Sequence, residues 1–379
     1  MRVGIDYTAA ARQRAGIGRY TRGLIHALAA LDRDNRYTLF VPRDARYIAP
    51  GAQAVERAED FPSNFQLVRA PLDERTLARL WQRLALPLPV EFFVGRCEVW
   101  YSPDFVLPPT RAHKKILTVH DLSFKRVPET AVPNLKWYLE GAVPRAVRRA
   151  DLILADSEAT RNDLIELFSA PANRVQKLYS GVEAFFCRVT DAHTLDSVRA
   201  RYQLERPFIL SVGTIEPRKN LARLIEAFAR LPRREEWDLV IAGGRGWMYQ
   251  EILDAPAQFG ANDRVRFLGF VPDADLPALY TLATLFVYPS LYEGFGLPVL
   301  EAMACGTPLI TSNVSSMPEV AGEAGILVNP RDTEELTAAI RQLIDDEALR
   351  RELAERGLKQ ATKFSWQASA QQLLNDLKS

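Results

Sequence analysis

The sequence predicts an α/β chain folded as two successive doubly wound domains, and three observations carry that expectation. Short apolar strand runs alternate with amphipathic helical runs from end to end, the signature of parallel strands covered by helices on both faces. The first strand of each half runs into glycine and then helix: Arg2 to Asp6 leads to Gly16-Ile-Gly18, and Phe208 to Val212 leads to Gly213-Thr214. Between the halves, from Val182 to Arg206, the pattern loosens into a linker with a short helix. At 379 residues the chain has room for two domains of ordinary size.

Composition narrows the function classes. Apolar residues at 47% and charged residues at 25% suit a globular protein. With 48 Lys and Arg against 47 Asp and Glu, the near-neutral balance argues against a dedicated nucleic-acid binder. Charge is uneven, however: residues 111–150 hold nine Lys or Arg and three acids, a local excess of six positive charges. Such a patch is a solvated surface or a contact for acidic lipid headgroups or a phosphate-bearing substrate. The three cysteines, Cys97, Cys187 and Cys305, are scattered and offer no disulfide framework or metal spacing. Met1 to Asp6 lacks the apolar core of a signal peptide, and no run reaches the roughly eighteen apolar residues of a membrane span. A cytoplasmic protein is expected, with peripheral contact at the inner membrane face as the accompanying reading.

In the first half, Arg2 to Asp6 is a strand, and the helix after Gly18 carries Leu24, Ile25, Leu28 and Leu31 on one stripe. Backbone N–H groups at such a helix start can face an anion. Thr21 stands where a dinucleotide fingerprint needs its third glycine, so Gly16 and Gly18 fit a simple turn as well as a site. Tyr37 to Val41 is a second strand, and Thr76 to Leu86 is a helix with Trp81 inward, stopped by Pro87. Glu98 to Tyr101 and Lys115 to Val119 are further strands, the latter ending in His120-Asp121. A histidine at the carboxyl end of a parallel strand faces the ligand crevice or bonds to a loop. Trp137 to Arg149 is a basic, aromatic helix interrupted at Pro144. Asp151 to Ala155 is a strand, with Ser157 and Thr160 as caps for the next helix. Arg174 to Tyr179 closes a first domain of residues 1–183, with 184–206 as linker.

The second domain, residues 207–363, restarts with Phe208 to Val212. Asn220 is a candidate N-cap for a helix with Leu221, Leu224, Ile225 and Phe228 on one face. Arg218 and Lys219 crowd positive charge at the positive end of that helix dipole, unfavourable by a few tenths of a kcal/mol or more each. The arrangement makes sense where a phosphate sits. Trp237 to Ala242 is a strand ending in Gly243-Gly-Arg-Gly246, followed by a strand from Arg264 to Val271 and a helix from Ala274 to Leu282. Asp273-Ala-Asp275 has the spacing of a metal-binding motif, yet before a helix it reads as a cap. Leu285 to Ser290, Thr307 to Thr311 and Gly325 to Val328 are the remaining strands. Thr333 to Ile344, Glu347 to Ala361 and a final helix from Gln367 to Leu377 end the pattern.

The stretch from Tyr292 to Gly306 organises the rest. Glu293 lies in a loop with Gly294 and Gly296, which permit sharp turns and close approach to a ligand. Pro298 suits the first turn of a helix that Gly306 and Pro308 end. Glu293 precedes that helix and Glu301 lies inside it, so both can face one crevice at the carboxyl end of a strand.

Taken with Ser211-Val-Gly-Thr-Ile-Glu-Pro-Arg-Lys-Asn220, Phe267-Leu-Gly-Phe-Val271 and Pro289-Ser-Leu-Tyr-Glu-Gly-Phe-Gly296, this stretch resembles the nucleotide-sugar half of the retaining glycosyltransferases of family 4. Glu293 and Glu301 match the family's E-x7-E spacing, and Gly16-Ile-Gly-Arg-Tyr20 and Thr118-Val-His-Asp121 are similar too. The resemblance implies the GT-B architecture: two Rossmann-like domains facing a central cleft, with the segment 364–379 crossing back to the first. It also implies retaining transfer from a nucleotide-diphosphate sugar to a saccharide or lipid-linked saccharide hydroxyl, with no metal and no cofactor. By the same resemblance Arg218 and Lys219, with the amides around Gly16 and Gly18, hold the diphosphate. Glu301 takes the ribose, Glu293 the donor sugar, and His120 approaches that sugar. Gly213, Thr214, Gly243, Phe270, Val271, Gly294, Phe295, Gly296 and Leu297 complete the implied donor pocket. The whole-chain pattern is similar to bacterial mannosyltransferases of polysaccharide and O-antigen assembly, which favours GDP-mannose over UDP-glucose. A sugar-nucleotide epimerase would share the fold, but this sequence shows no second acid placed to abstract a sugar proton. A non-catalytic nucleotide-sugar binder is opposed by the intact His120, Arg218, Lys219 and Glu293.

Overall fold

Strands of this chain are short apolar runs buried on both faces, and that forces parallel pairing with helices as cover. The structure, a computed structural model, describes residues 1–13, 16–45, 61–84 and 86–379. These divide into two units: Met1–Leu122, Asn134–Gly181 and Ser365–Ser379 in the first, Ser123–Pro133 and Val182–Phe364 in the second.

The first unit contains β1 (Arg2–Asp6), β2 (Arg36–Val41), β3 (Phe65–Arg69), β4 (Val99–Ser102), β5 (Lys114–Val119), β6 (Leu152–Ala155) and β7 (Val175–Lys177). They form one parallel sheet in the order β3-β2-β1-β4-β5-β6-β7. Strand order reverses between β1 and β4, the switch point at which such sheets open a crevice at their carboxyl edge. Its helices are α1 (Thr8–Arg12), α2 (Ile17–Leu31), α3 (Glu74–Ala78) and α4 (Glu91–Val94). After α5 (Ser123–Arg126), which belongs to the second unit, come α6 (Pro133–Arg149) and α7 (Glu158–Phe168).

Several expectations for this unit are corrected. Edge strand β3 was not foreseen, because its alternation is weak and its outer residues are half-exposed. The helix expected from Thr76 begins earlier, capped by Asp73, and widens at Arg79–Arg83 into a π turn; Ala85 lies outside the described residues. Leu24, Ile25 and Leu28 are fully buried on α2, but Leu31 is exposed at its end. Pro144 does not interrupt α6, whose Ala142, Val143, Ala146 and Val147 are packed inward on both sides of it. Packing of an apolar face outweighs one lost backbone bond. Ser157 caps α7 by accepting from the Thr160 amide, whereas the Thr160 hydroxyl donates to the His120 carbonyl at 3.1 Å.

The second unit contains β8 (Phe208–Val212), β9 (Asp238–Ala242), β10 (Val265–Gly269), β11 (Leu285–Tyr288), β12 (Leu309–Ser312) and β13 (Gly325–Val328). Their parallel order, β10-β9-β8-β11-β12-β13, repeats the first sheet's pattern with its reversal between β8 and β11. Its helices are α8 (Ala192–Arg201), α9 (Leu221–Ala229), α10 (Gln250–Gln258), α11 (Leu276–Leu282), α12 (Leu297–Ala304), α13 (Met317–Ala321), α14 (Thr333–Asp345) and α15 (Glu347–Ala361). Leu221, Leu224, Ile225 and Phe228 of α9 are buried together, as the periodicity predicts. Gly269, at φ 69°, ends β10 two residues before the expected Val271.

The stretch 184–206 is not a loose linker. Arg201, ending α8, donates to the two Asp275 oxygens at 2.6 and 2.7 Å, and the Tyr202 hydroxyl donates to the same carboxylate at 2.7 Å. Asp275 therefore clamps α8 to α11 and makes no side-chain cap bond, which corrects the capping expectation.

The chain ends in α16 (Trp366–Lys378), capped by Ser365 and packed against α2 in the first unit. Trp366, Ala370, Leu373, Leu374 and Leu377 join the core built on Val3, Ile5 and Leu24. Room for Trp366 comes from two glycines: a Cβ at Gly181 would stand 2.3 Å from the Trp366 amide nitrogen, and one at Gly23 would stand 2.4 Å from its ring. Among the described residues no helix is long and apolar enough to cross a membrane. Trp366→Ala is expected to destabilise the first unit by about 3–5 kcal/mol. Urea unfolding reads this as an earlier transition, and an unchanged midpoint would contradict the role given to α16.

Candidate active site at the second switch point

At the carboxyl ends of β8 and β11, neighbours in the sheet but not in sequence, two loops meet. The loop after β8 is pressed against the loop after β9. A Cβ at Gly243, whose φ is 156°, would fall 1.8 Å from the Gly213 carbonyl oxygen, so only glycine allows this backbone contact. Ile215 then donates to the Gly244 carbonyl at 2.9 Å and Gly246 returns a bond to Ile215 at 3.0 Å. Thr214 fits beside Gly246, where a Cβ would lie 2.6 Å from its methyl group.

The stapled loop leads into a 3₁₀ turn, Pro217–Lys219, and this turn presents the two cations. Arg218 donates through Nη1 to Glu293 Oε2 at 2.8 Å and to the Tyr292 carbonyl at 3.1 Å. Its Nε and Nη2 hold Glu216 Oε1 at 3.2 and 2.9 Å. Lys219 donates to Glu293 Oε1 and to the Tyr288 hydroxyl, both at 2.6 Å, and that hydroxyl donates to Glu293 Oε1 at 3.1 Å. Two cations and two carboxylates thus bond to one another; Glu293 is 6% exposed and Lys219 9%, while Arg218 is half-buried. Burial alone would raise the Glu293 carboxyl, but Arg218 and Lys219 outweigh it and hold it at about 2. Burial pulls Lys219 down, and Glu293 more than reverses that, so the ammonium is held charged. Removing one partner of such a buried set costs about 3–5 kcal/mol, because its counter-charge is left unpaired.

Asn220 does not cap α9. It adopts φ 57°, and its amide donates to the Pro289 and Pro330 carbonyls at 3.0 and 2.6 Å, tying the cation turn to the end of β11. On the other side Ser315 accepts from the Glu293 amide at 3.0 Å. The Ser316 hydroxyl lies 3.0 and 2.9 Å from the Glu293 and Phe295 carbonyls. Gly296, at φ 103°, turns the chain into α12; a Cβ there would meet Met317 Cε at 2.2 Å. The glutamate loop is therefore rigidly held.

Among the expected donor residues, the structure brings Gly213, Thr214, Arg218, Lys219, Gly243, Glu293 and Gly294 to this carboxyl edge, with Leu297 opening α12. Phe295 is instead a core residue, edge-on to Phe364 at 5.6 Å. Phe270 is exposed and Val271 buried just after edge strand β10. Glu301, inside α12, is 1% exposed and accepts the Tyr280 hydroxyl of α11 at 2.9 Å. In the first unit, Gly16 starts α2 at φ 52°, and a Cβ at Gly18 would lie 2.0 Å from the Gln13 carbonyl oxygen, so both glycines are demanded by the turn itself. Among the described residues no group of three or more His, Cys, Asp or Glu converges on a point. Glu216, Tyr288, Ser315 and Ser316 were missed by sequence reasoning. Only Tyr288, a hydroxyl at the carboxyl end of an apolar strand, carried a usable signal.

His120 sits in the first unit at the end of β5, buried, with both ring nitrogens occupied. Nδ1 is 2.7 Å from Asp156 Oδ2 and Nε2 is 2.8 Å from the Pro103 carbonyl oxygen. A carbonyl can only accept, so Nε2 carries a proton; a second proton faces the Asp156 carboxylate, and the ring is an imidazolium. Burial lowers its pKa, but Asp156 outweighs burial and lifts it to about 9. Because the folded-state value is raised above the ordinary 6.5, the pair's contribution is present below about pH 6.5 while Asp156 is ionised and is lost as pH rises through about 9. Burial raises the Asp156 carboxyl, so acid removes the pair from the other side. An NMR titration of His120 is expected to centre near 9 and to fall in Asp156→Asn; a midpoint at or below 6.5 in the wild type would refute the pairing.

The chain was compared with known proteins. A family profile described as "Glycosyl transferases group 1" matches residues 196–360, and one described as "Glycosyltransferase Family 4" matches residues 14–184. The O-antigen chain mannosyltransferase B of Escherichia coli is 36% identical over 369 residues, covering 96% of each chain. Among solved structures, the sucrose-phosphate synthase from Thermosynechococcus elongatus aligns over 100% of this chain and 98% of its own, with a TM-score of 0.76 at 22% identity. Anabaena Alr3699/HepE, in complex with UDP and glucose, aligns over 100% and 99% with a TM-score of 0.74 at 21% identity. The structural likeness identifies the fold as GT-B, with two Rossmann-like domains. With both halves matched by family profiles and identity sustained along nearly the whole chain, the protein belongs to the family 4 glycosyltransferases.

Proposed function

We propose that the protein is a retaining, metal-independent hexosyltransferase that moves mannose from GDP-mannose to a hydroxyl of a saccharide or lipid-linked saccharide. The observation that carries the reading is the pair of cations at the second switch point, half-buried Arg218 and buried Lys219, sharing one buried carboxylate, Glu293. Transfer leaves negative charge on the departing nucleoside diphosphate, and fixed cations in a poorly solvated site stabilise that charge strongly. Glu301 is assigned to the ribose hydroxyls and Glu293 to the donor sugar. His120 keeps the role near the sugar that the resemblance implies; its two N–H groups are given to Asp156 and to the Pro103 carbonyl, so a bond from the ring to the sugar requires release of the Pro103 contact. Mannose is supported by the Escherichia coli relative, an O-antigen chain mannosyltransferase, and GDP is the carrier that the resemblance to such enzymes favours. UDP-glucose is the second reading, favoured by the UDP and glucose bound to the Anabaena neighbour.

Incubation with GDP-mannose, UDP-glucose and an acceptor panel is expected to yield glycosylated product and free GDP, in EDTA as well as without it. Epimerised sugar, or binding without turnover, would replace the transferase reading; activity restored only by added Mn²⁺ or Mg²⁺ would remove metal independence. Arg218→Ala and Lys219→Ala should each raise the barrier by about 2–4 kcal/mol, the scale of one lost donor to developing charge. Wild-type kcat/KM in either folded variant would reduce these cations to a structural role.

The reading extends to an anionic membrane surface beside the first unit. Along α6, Trp137, Gly141, Arg145 and Arg148 are exposed on one stripe, and Trp137 is 70% exposed. Arg145 reaches the Gln82 carbonyl at 3.2 Å, which lays α6 beside a segment with exposed Arg79, Arg83, Leu84 and Leu86. Apolar side chains interspersed with arginines suit the headgroup region of an acidic leaflet. Sedimentation with acidic liposomes should exceed that with neutral ones, weaken with salt and drop in Trp137→Ser; equal sedimentation with both lipids would count against it.

A further inference from the structure

The cations that the proposed function gives to the donor's diphosphate already have a counter-ion, and it belongs to the protein. We propose that donor binding is an anion exchange: the diphosphate displaces the Glu293 carboxylate from Arg218 and Lys219. The inference rests on the reading of those two residues as phosphate cations.

Three features support it. First, Arg218 and Lys219 already hold the carboxylates of Glu216 and Glu293 by direct hydrogen bonds, two cations to two carboxylates. A diphosphate entering beside both carboxylates would meet repulsion in a poorly solvated site, so one carboxylate has to withdraw. Second, Glu293 is the carboxylate that binds both cations, at 2.8 and 2.6 Å. Among the described residues the Glu216 carboxylate bonds Arg218 and not Lys219, so its withdrawal would free one cation only, and at 2% exposure it has less room to move. Third, both cations keep a partner when Glu293 leaves. Lys219 retains the Tyr288 hydroxyl, and Arg218 retains Glu216 and the Tyr292 carbonyl. The exchange leaves no cation stranded.

Calorimetry with inorganic pyrophosphate tests this, because that probe carries neither base nor sugar. Arg218→Ala and Lys219→Ala should weaken pyrophosphate binding by about tenfold or more, the worth of one charge-assisted hydrogen bond. Glu293→Gln should do the opposite and tighten it by about tenfold or more, since no carboxylate has to be displaced. Two failures are distinguishable. Unchanged affinity in both cation variants would show that the phosphate reading itself is wrong. Weaker binding in the cation variants, with unchanged or weaker binding in Glu293→Gln, would overturn the exchange while leaving the phosphate site standing. If circular dichroism shows that Glu293→Gln does not fold, Glu293→Asp serves instead. Its carboxylate is one methylene shorter and cannot span both cations, so pyrophosphate should bind it more tightly than wild type. Equal or weaker binding there overturns the proposal.

Discussion

One buried carboxylate shared between two cations is the constraint on which the second unit turns. Glu293 can sit between Arg218 and Lys219 only because β8 and β11, distant in sequence, are neighbours where the strand order reverses. The surrounding devices hold that placement. Gly213 and Gly243 let two loops touch backbone to backbone, Asn220 ties the cation turn to β11, and Ser315 and Ser316 grip the glutamate loop. None of these is an independent decoration. An ion cluster removed from water stabilises only when its geometry is good and its remaining hydrogen-bonding groups are satisfied.

The first unit repeats the theme with different chemistry. His120 and Asp156 stand at the carboxyl ends of adjacent strands β5 and β6, and burial makes their charges depend on each other. Tyr20 stands edge-on to the imidazole at 4.8 Å, so the ring orientation is constrained by packing as well as by hydrogen bonds. Two sheets of the same topology thus each concentrate a compensated charge set at the edge where strands end and helices begin. Such positions combine low solvation with oriented backbone groups, which is why open α/β sheets bind ligands there.

Much of this was legible in the sequence. Strands of both sheets other than β3 were marked by apolar runs, and α9 by the spacing of Leu221, Leu224, Ile225 and Phe228. Arg218, Lys219 and Glu293 were singled out by motif and by charge placed against a helix dipole. What was lost lay in side chains whose partners are remote. Asn220 has every local mark of a cap, yet carbonyls near residues 289 and 330 claim its amide. Asp275 likewise is drawn off by Arg201 and Tyr202. Local propensity cannot price a tertiary hydrogen bond, and residues 184–206 looked like a linker because α8 has a weak apolar face and is tied to α11 by that polar clamp. The serines beneath Glu293 have no periodic signature.

The docking of α16 has a consequence for how the chain matures during synthesis. The first unit's core includes Trp366, Leu373 and Leu377 beside Val3 and Ile5, whereas the intervening second unit, residues 182–364 with the short segment 123–133, is compact in itself. As the polypeptide emerges, the second unit can therefore close before the first, although it is made later. The earlier-made half must wait with an apolar groove along α2, a window in which chaperone capture or aggregation competes with completion.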